Sequence, residues 1–394
     1  MNPLIVVVGY NRPKSMLRLL KSVDNADYDS DDVTLLISLD KADNDNGVLK
    51  IATSFNWHHG NKIIRTFEKR QGLRNHIIQC GDLTDEYGAV IVLEDDLIVS
   101  SGYYRYVCKA LEYYTDDCIA GISLYSHEWN GYARRFYEPV ADEYDTYLGQ
   151  FSITWGQCWT REAWKNFKNW YNNNQELKYN YFIPKDINNW GEKSWGKYFV
   201  YYITEKKLFY VIPRVSFSTN CSEIGEHSYE SNNDHQVRLF NGKFNDFRFA
   251  PVKKACRYDI FFENMKLDNY LPQKIKKYGV DIDLNNTGKN SKEKRFVLST
   301  ANLPYKIVKS YGLQLRPIDM NIILGVAGKG IYLYDKSIPR KKNKDEFNCY
   351  DMIRYEVRGM VVRKLACYYI FQIKERYKGV LVEFVKKIVS FHSR

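Results

Sequence analysis

Cysteine is sparse and scattered. The eight residues, at positions 80, 108, 118, 158, 221, 256, 349 and 367, form no C-x-x-C pair and no metal-finger spacing. That excludes a zinc ribbon and a dithiol redox centre. Long hydrophobic runs are missing too: no stretch of about 18 apolar residues occurs, so no helix is expected to span a bilayer. The opening segment MNPLIVVVGYNRPKS has no charged n-region and reaches Gly9, Asn11, Arg12 and Pro13 too early for a secretory signal. These absences predict a reduced, cytoplasmic protein. Net charge is also missing from most of the chain. The first 300 residues carry 39 basic and 39 acidic side chains, whereas residues 301–394 carry 19 Lys and Arg against 8 Asp and Glu. The whole net charge of +11 therefore belongs to the C-terminal quarter, which is where a polyanionic partner would be attracted.

The chain is otherwise rich in aromatics, at 15% of 394 residues with 33 Tyr. Flat amphipathic rings often line sites that grip sugars; an AT-rich genome would give the same enrichment. The length allows two or three structural units, and no internal repeat is visible.

The first third alternates apolar strands with helices. LIVVVGY (4–10), VTLLISLD (33–40), KIIRTFEK and GAVIVLEDD read as strands. Between them, RPKSMLRLLKSV spaces Met16, Leu19, Leu20 and Val23 as one face of a helix that Pro13 opens. GVLKIATSFN and LRNHIIQCGDLTDEY also read as helices. A βαβ alternation predicts an α/β fold with a mainly parallel sheet covered by helices, and ligands beyond the carboxyl ends of its strands. Asp40 and the triplet Glu94-Asp95-Asp96 lie at such ends. Further on, residues 103–114 read as a helix, IAGISLYS as a strand, and FSITWGQCWTREAW as a strand turning helical near Thr160. Beyond about Lys266 the pattern weakens; IDLNNTGKNSKEKR reads as a linker or exposed loop.

Three carboxylates at the mouth of a buried strand repel one another and resist desolvation. A hard divalent cation, Mn²⁺ or Mg²⁺, makes sense of them, because such ions take oxygen ligands and share their shell with substrate phosphates. An acidic cap on the following helix is the plainer explanation.

The ordered set VVVGYNRPKSMLRLLKSV, SLD, QGLRN, VIVLEDDLIVSSGYYRY and WGQCWTREAW resembles the nucleotide-sugar glycosyltransferases of GT-A fold. The likeness is greatest to N-acetylglucosaminyltransferase I-type enzymes and related bacterial polysaccharide glycosyltransferases. It extends over residues 4–227. It implies a GT-A, Rossmann-like mixed sheet for residues 1–265, with a donor half to about 100 and an acceptor half over 101–265. A linker and small appendage would occupy 266–350, and a basic helical tail 351–394. The resemblance further implies Arg12 and Asp40 at the nucleotide base, Asn75 along the nucleotide, Glu94 and Asp95 at the ribose and donor sugar, and Asp96 on the metal. Trp155, Gly156 and Gln157 would lie beside the donor sugar, and His227 on a loop over the metal or diphosphate. Plainer roles stand beside these: Arg12 solvated, Asp40 capping a turn, Trp155 in the core.

One position departs from the pattern. Inverting members place an Asp general base immediately after a Trp, with a Pro seventeen residues beyond that Asp; here Trp195 and Pro213 keep the spacing, but Gly196 stands between them. Glycine accepts no proton, so the resemblance leaves the base to Glu192 or Asp186, with Glu128 and Glu226 as further choices; a surface salt bridge is the plain alternative for Glu192. The implied reaction is an inverting, metal-dependent transfer of a hexosyl or N-acetylhexosaminyl group from a UDP-linked or similar donor to a saccharide or lipid-linked glycan, in polysaccharide or glycan assembly. Two rivals remain: a sugar-nucleotide-binding protein of the same fold with weakened turnover, and a metal-dependent phosphodiesterase.

The tail, MVVRKLACYYIFQIKERYKGVLVEFVKKIVSFHSR, mixes large apolar residues with Arg363, Lys364, Lys374, Arg376, Lys378, Lys386 and Lys387. That mixture suits an amphipathic helix lying on an anionic membrane, and equally a helix packed on protein. With no nucleic-acid motif in the chain, no nucleic acid is expected as a partner. The expected location is peripheral, at the inner face of the membrane.

Overall fold

A computed structural model describes residues 2–30, 32–44, 47–221, 233–242, 246–288, 293–341 and 350–357, with 363–371, 373, 374 and 377 in the tail. Two units divide at residue 343.

In the first unit, the four apolar runs become β1 (Leu4–Gly9), β2 (Leu35–Leu39), β3 (Lys62–Thr66) and β4 (Ala89–Glu94). β1 pairs in parallel with both β2 and β4, and β2 with β3. The acidic triplet interrupts the chain, which resumes as β5 (Leu97–Val99) outside this sheet. The next strands are β6 (Ile119–Ser123), a short hairpin of β7 (Trp129–Asn130) and β8 (Arg135–Phe136), then β9 (Thr146–Gly149), β10 (Gln157–Thr160) and β11 (Phe209–Pro213). β12 (Ser218–Asn220) pairs antiparallel with β5, and β13 (Arg257–Tyr258) ends the main sheet. The order is β13-β9-β11-β6-β10-β4-β1-β2-β3. β10 runs antiparallel between β4 and β6, and β9 is antiparallel to β11; the other pairings are parallel. This is the mixed, mainly parallel α/β sheet expected.

Strand alternation sends residues to two cores. Val6, Val8, Val90 and Val92 join one; Ile5, Val7, Ile91 and Leu93 join the other. Burying a Val, Leu or Ile side chain contributes about 1.5–3 kcal/mol, so strands buried on both faces must be apolar throughout. The helices among the first strands are α1 (Pro13–Asp24), α2 (Val48–Ser54), α3 (Gly72–Gly81), α4 (Thr84–Tyr87) and α5 (Tyr103–Tyr113). α1 and α5 cover the second core. α3, α6 (Arg161–Asn172) and, beyond α7 (Lys185–Asn188), α8 (Trp195–Glu205) cover the first. Thr160 caps α6 by accepting from the Ala163 amide at 3.2 Å. Gly81 lets α3 approach α6 closely: a Cβ there would meet the Trp164 ring at 2.1 Å.

Residues 280–339 do not form a structureless linker. β14 (Val280–Asp283), β15 (Phe296–Ser299), β16 (Tyr305–Tyr311) and β17 (Ile331–Pro339) make a second sheet, ordered β14-β15-β17-β16, over a core of Leu267, Ile282, Leu298 and Leu333. Of IDL, read as loop, Ile282 and Asp283 belong to β14 and Leu284 follows in a turn; Ile282 and Leu284 are both buried in that core. Asp319 ties the two sheets, accepting from Tyr258 at 3.1 Å and Asn264 at 3.2 Å.

The second unit contains a helix over Tyr350–Glu356, and residues 363–371 are helical. Among the described residues no helix is long and apolar enough to cross a membrane.

Candidate functional site

The register places Val8 beside Glu94 and Gly9 beside Leu39. The ends of β1, β2 and β4 therefore lie level, and the residues just beyond them meet around one cavity of about 120 Å³. Arg12, Asp40, Glu94 and Asp95 line it, from segments of the chain up to 83 residues apart.

Arg12 is the central cation. Its Nη2 donates to Asp95 Oδ1, and its Nη1 lies 3.4 Å from Asp96 Oδ2. Burial opposes its charge, but Asp95 and Asp96 outweigh burial and hold the guanidinium above its ordinary range. Glu94 has no such relief. Burial first, then the charges of Asp96 and Asp95, push its carboxyl up to about 8, with Arg12 opposing.

Asp40 is 8% exposed. Its Oδ1 accepts from the amides of Lys41 at 2.8 Å and Gln71 at 2.7 Å, and its Oδ2 from that of Gly72 at 2.9 Å. It joins the end of β2 to the start of α3, an end that favours negative charge. Three amides leave a fourth lone-pair position on a carboxylate that offers about four. Asn75 is exposed and donates to the Gln71 carbonyl at 3.2 Å; it is not among the lining residues, whereas Gly72, Leu73 and His76 of the same segment are.

The other predicted donor-side residues converge on the same strand end. β10 is antiparallel to β4 with Gln157 opposite Val92, which brings Gly156 and Trp155 level with the last residues of β4, although none of the three is among the cavity's lining residues. The Trp155 carbonyl accepts from Ser218 Oγ at 2.5 Å, and its ring lies 4.7 Å from both Tyr125 and His235. Gly156 has φ +97°, and a Cβ there would meet Leu124 and Ser218 at 3.1 Å, so glycine is required twice over. Gln157 is fully buried, and neither its Oε1 nor its Nε2 has a hydrogen-bond partner.

Among the described residues, none of the candidate bases lines this cavity. Glu192 is exposed, and its carbonyl accepts from Arg74 at 3.0 Å. Asp186 is exposed on the first turn of α7; burial first, then Asp186, raise the Tyr132 hydroxyl. Glu128 is tied to Arg238 at 2.6 Å. Gly196 is buried on the first turn of α8. His227 and Glu226 lie outside the described residues.

Asp96 Oδ1 is buried and has no hydrogen-bond partner. An oxygen left open in this way suits a hard cation. Among the described residues no group of three His, Cys, Asp or Glu converges as a metal cage, so the protein's share of a coordination shell would be small and water or phosphate oxygens would complete it.

Three lining residues were not read from sequence. Tyr10 and Arg70 stack as a cation–π pair, 4.7 Å from guanidinium to ring centroid. They directly follow β1 and precede QGLRN, which was the available signal. His76 faces Ser38 Oγ at 2.6 Å; burial, with Arg65 adding, lowers its pKa to about 4 against the opposing charge of Asp40. A second cavity of about 360 Å³ shares Tyr10 and Asp40.

No family model matches the chain, and no curated protein matches it. Among solved structures, S. aureus TarS 1-349 aligns at TM-score 0.38 and 13% identity over 56% of this chain and 61% of its own. Its complex with UDP-GlcNAc aligns at TM-score 0.39 and 12% identity, over 59% and 62%. The mannosyltransferase PcManGT from Pyrobaculum calidifontis, solved with GDP-Man and Mn²⁺, aligns at TM-score 0.36 and 10% identity, over 58% and 59%. The alignments span about three-fifths of those proteins, and at these scores the likeness bears no weight for function.

Proposed function

We propose that the chain is a GT-A-type glycosyltransferase that moves a sugar from a nucleotide diphosphate donor, UDP-linked by preference, to a saccharide hydroxyl. One observation carries this reading. Arg12, Asp40, Glu94 and Asp95 line one cavity at the level ends of β1, β2 and β4, and Asp96, which is not among the lining residues, lies 3.4 Å from Arg12 with its Oδ1 buried and without a hydrogen-bond partner. Ligands of open α/β sheets bind at such strand ends.

Asp96 would hold Mn²⁺ or Mg²⁺, and the ion would supply positive charge to the departing diphosphate. Arg12, Asp40 and the Tyr10–Arg70 pair frame the nucleotide. Trp155 offers the donor sugar a ring face, and Gln157 offers an amide. Glu94 and Asp95 would face the ribose and donor sugar. The acceptor proton falls to Asp186 or Glu192, and the tail brings the enzyme to lipid-linked acceptors at an anionic membrane. Gly196 favours the second reading, a donor-binding protein of low turnover. A screen of nucleotide sugars with Mn²⁺ by thermal stabilisation tests the proposal, because a ligand of the native state raises Tm by mass action. Stabilisation by one sugar nucleotide, dependent on metal, is expected; no response to any of them contradicts it.

A further inference from the structure

The cation of this site already has a rival inside the chain. Arg12 is the residue preceding α1, yet its side chain gives that helix no cap. It reaches instead across the strand ends to Asp95 and Asp96, with its side chain 24% exposed and that of Asp95 6% exposed. A guanidinium and a divalent ion drawn to the same two carboxylates repel one another, and partial burial weakens the screening between them. The cavity, at about 120 Å³, is also smaller than the 300–1,000 Å³ usual for small-molecule sites. It adjoins the cavity of about 360 Å³ that shares Tyr10 and Asp40, and displacement of Arg12 would enlarge it at the acidic side. Arg12 is held there by ion pairs, and its planar fork fits phosphate oxygens as well as carboxylates.

We propose that Arg12 is an internal counter-ion that makes the metal and the diphosphate bind as a pair. It occupies Asp95 and Asp96 when the donor is absent and moves to the phosphate oxygens when metal and diphosphate arrive together. Metal alone meets a resident positive charge. Diphosphate alone meets carboxylates from which Arg12 has been drawn away. Only the two together leave every charge paired. By linkage, each then raises the other's affinity by the same factor. This inference rests on the donor-binding reading above and adds a role for Arg12 that the reading does not require.

The test uses the full chain, with Mn²⁺ as probe followed by the electron paramagnetic resonance of the free ion, and UDP as the diphosphate. Arg12→Gln is expected to bind Mn²⁺ alone at least tenfold more tightly than wild type, and to bind UDP in the presence of Mn²⁺ at least tenfold more weakly. Arg12→Lys keeps the charge and should bind Mn²⁺ alone as poorly as wild type. An Arg12→Gln protein with unchanged or weaker affinity for Mn²⁺ alone, beside a wild type that binds UDP with Mn²⁺, overturns the counter-ion role and leaves the donor site standing. Because loss of Arg12 removes the ion pair of the buried Asp95, a change that can itself cost stability, the wild type provides a second arm. Mn²⁺ and UDP together should each bind at least a hundredfold more tightly than alone, beyond their association in solution. Independent binding overturns the proposal, and no binding of UDP under any condition overturns it together with the donor site.

Discussion

The hydroxyl of Ser152 lies 3.4 Å from the point where a side chain at Gly196 would begin. Thr154 Cγ2 follows at 3.5 Å and the Trp190 ring at 3.8 Å, so the place beside Gly196 accommodates a small side chain at ordinary contact distances. Gly196→Asp would put a carboxylate on the first turn of α8, where the helix dipole favours it. A positioned base is worth roughly 10²–10⁴ in rate. We expect kcat/KM for transfer to rise at least about tenfold, with donor affinity unchanged. Equal or lower transfer by a folded variant would remove Gly196 from the account of catalysis.

Gln157 should trade stability for binding. Its buried amide has no partner at either end, and such a group carries a desolvation penalty of about 1–3 kcal/mol. Gln157→Leu is therefore expected to stabilise the free protein by about 1–2 kcal/mol and to weaken sugar-nucleotide binding more than binding of the bare nucleotide. Chemical denaturation and calorimetry read the two effects. Destabilisation with intact sugar discrimination would make Gln157 a structural residue.

Gly156→Ala should harm both. Forcing Cβ into a positive-φ residue costs about 1–3 kcal/mol, and the clash with Leu124 and Ser218 would push Trp155 off the end of β4. A lower denaturation midpoint with weakened donor binding is expected; an unaffected midpoint would contradict the strain argument.

His76 makes the fold acid-sensitive. Its folded pKa of about 4 lies below the ordinary 6.5, so the unfolded chain binds the proton more readily between those values. Its contribution is complete above about pH 6.5 and is lost as pH falls through about 4, on the order of 3 kcal/mol. His76→Gln should flatten the stability profile over that range. A profile with the same slope would assign the acid sensitivity to other groups.

The basic tail is expected to bring the protein to anionic vesicles. Deleting residues 352–394 should abolish co-sedimentation at low salt, whereas equal sedimentation of both forms would end the membrane reading.

The donor half was legible because β1, β2 and β4 are buried on both faces and so read as unbroken apolar runs, and because a carboxylate after such a run has nowhere to go but the strand end. What the sequence could not convey was pairing at a distance. Leu97–Val99 resume the apolar character of β4 after the acidic triplet, and only the fold shows that they leave its sheet to pair with Ser218–Asn220. The antiparallel insertion of β10 depends on contacts between residues some 65 positions apart, such as Gln157 and Val92. Asp40 was read as a nucleotide acid, and its three amide partners at α3 emerge only once β2 and α3 are set side by side. The same holds for Arg12, whose acidic partners lie more than 80 residues away. IDL, at the end of β14 and the turn after it, escaped notice because the residues that follow are polar, although its own side chains are buried.

The most direct test of the central claim is calorimetric titration of nucleotide sugar into wild type and Asp96→Ala, each with and without Mn²⁺. The account predicts tight binding by the wild type only with the metal, and loss of that metal dependence in a folded Asp96→Ala protein. Identical titrations of the two proteins would contradict it.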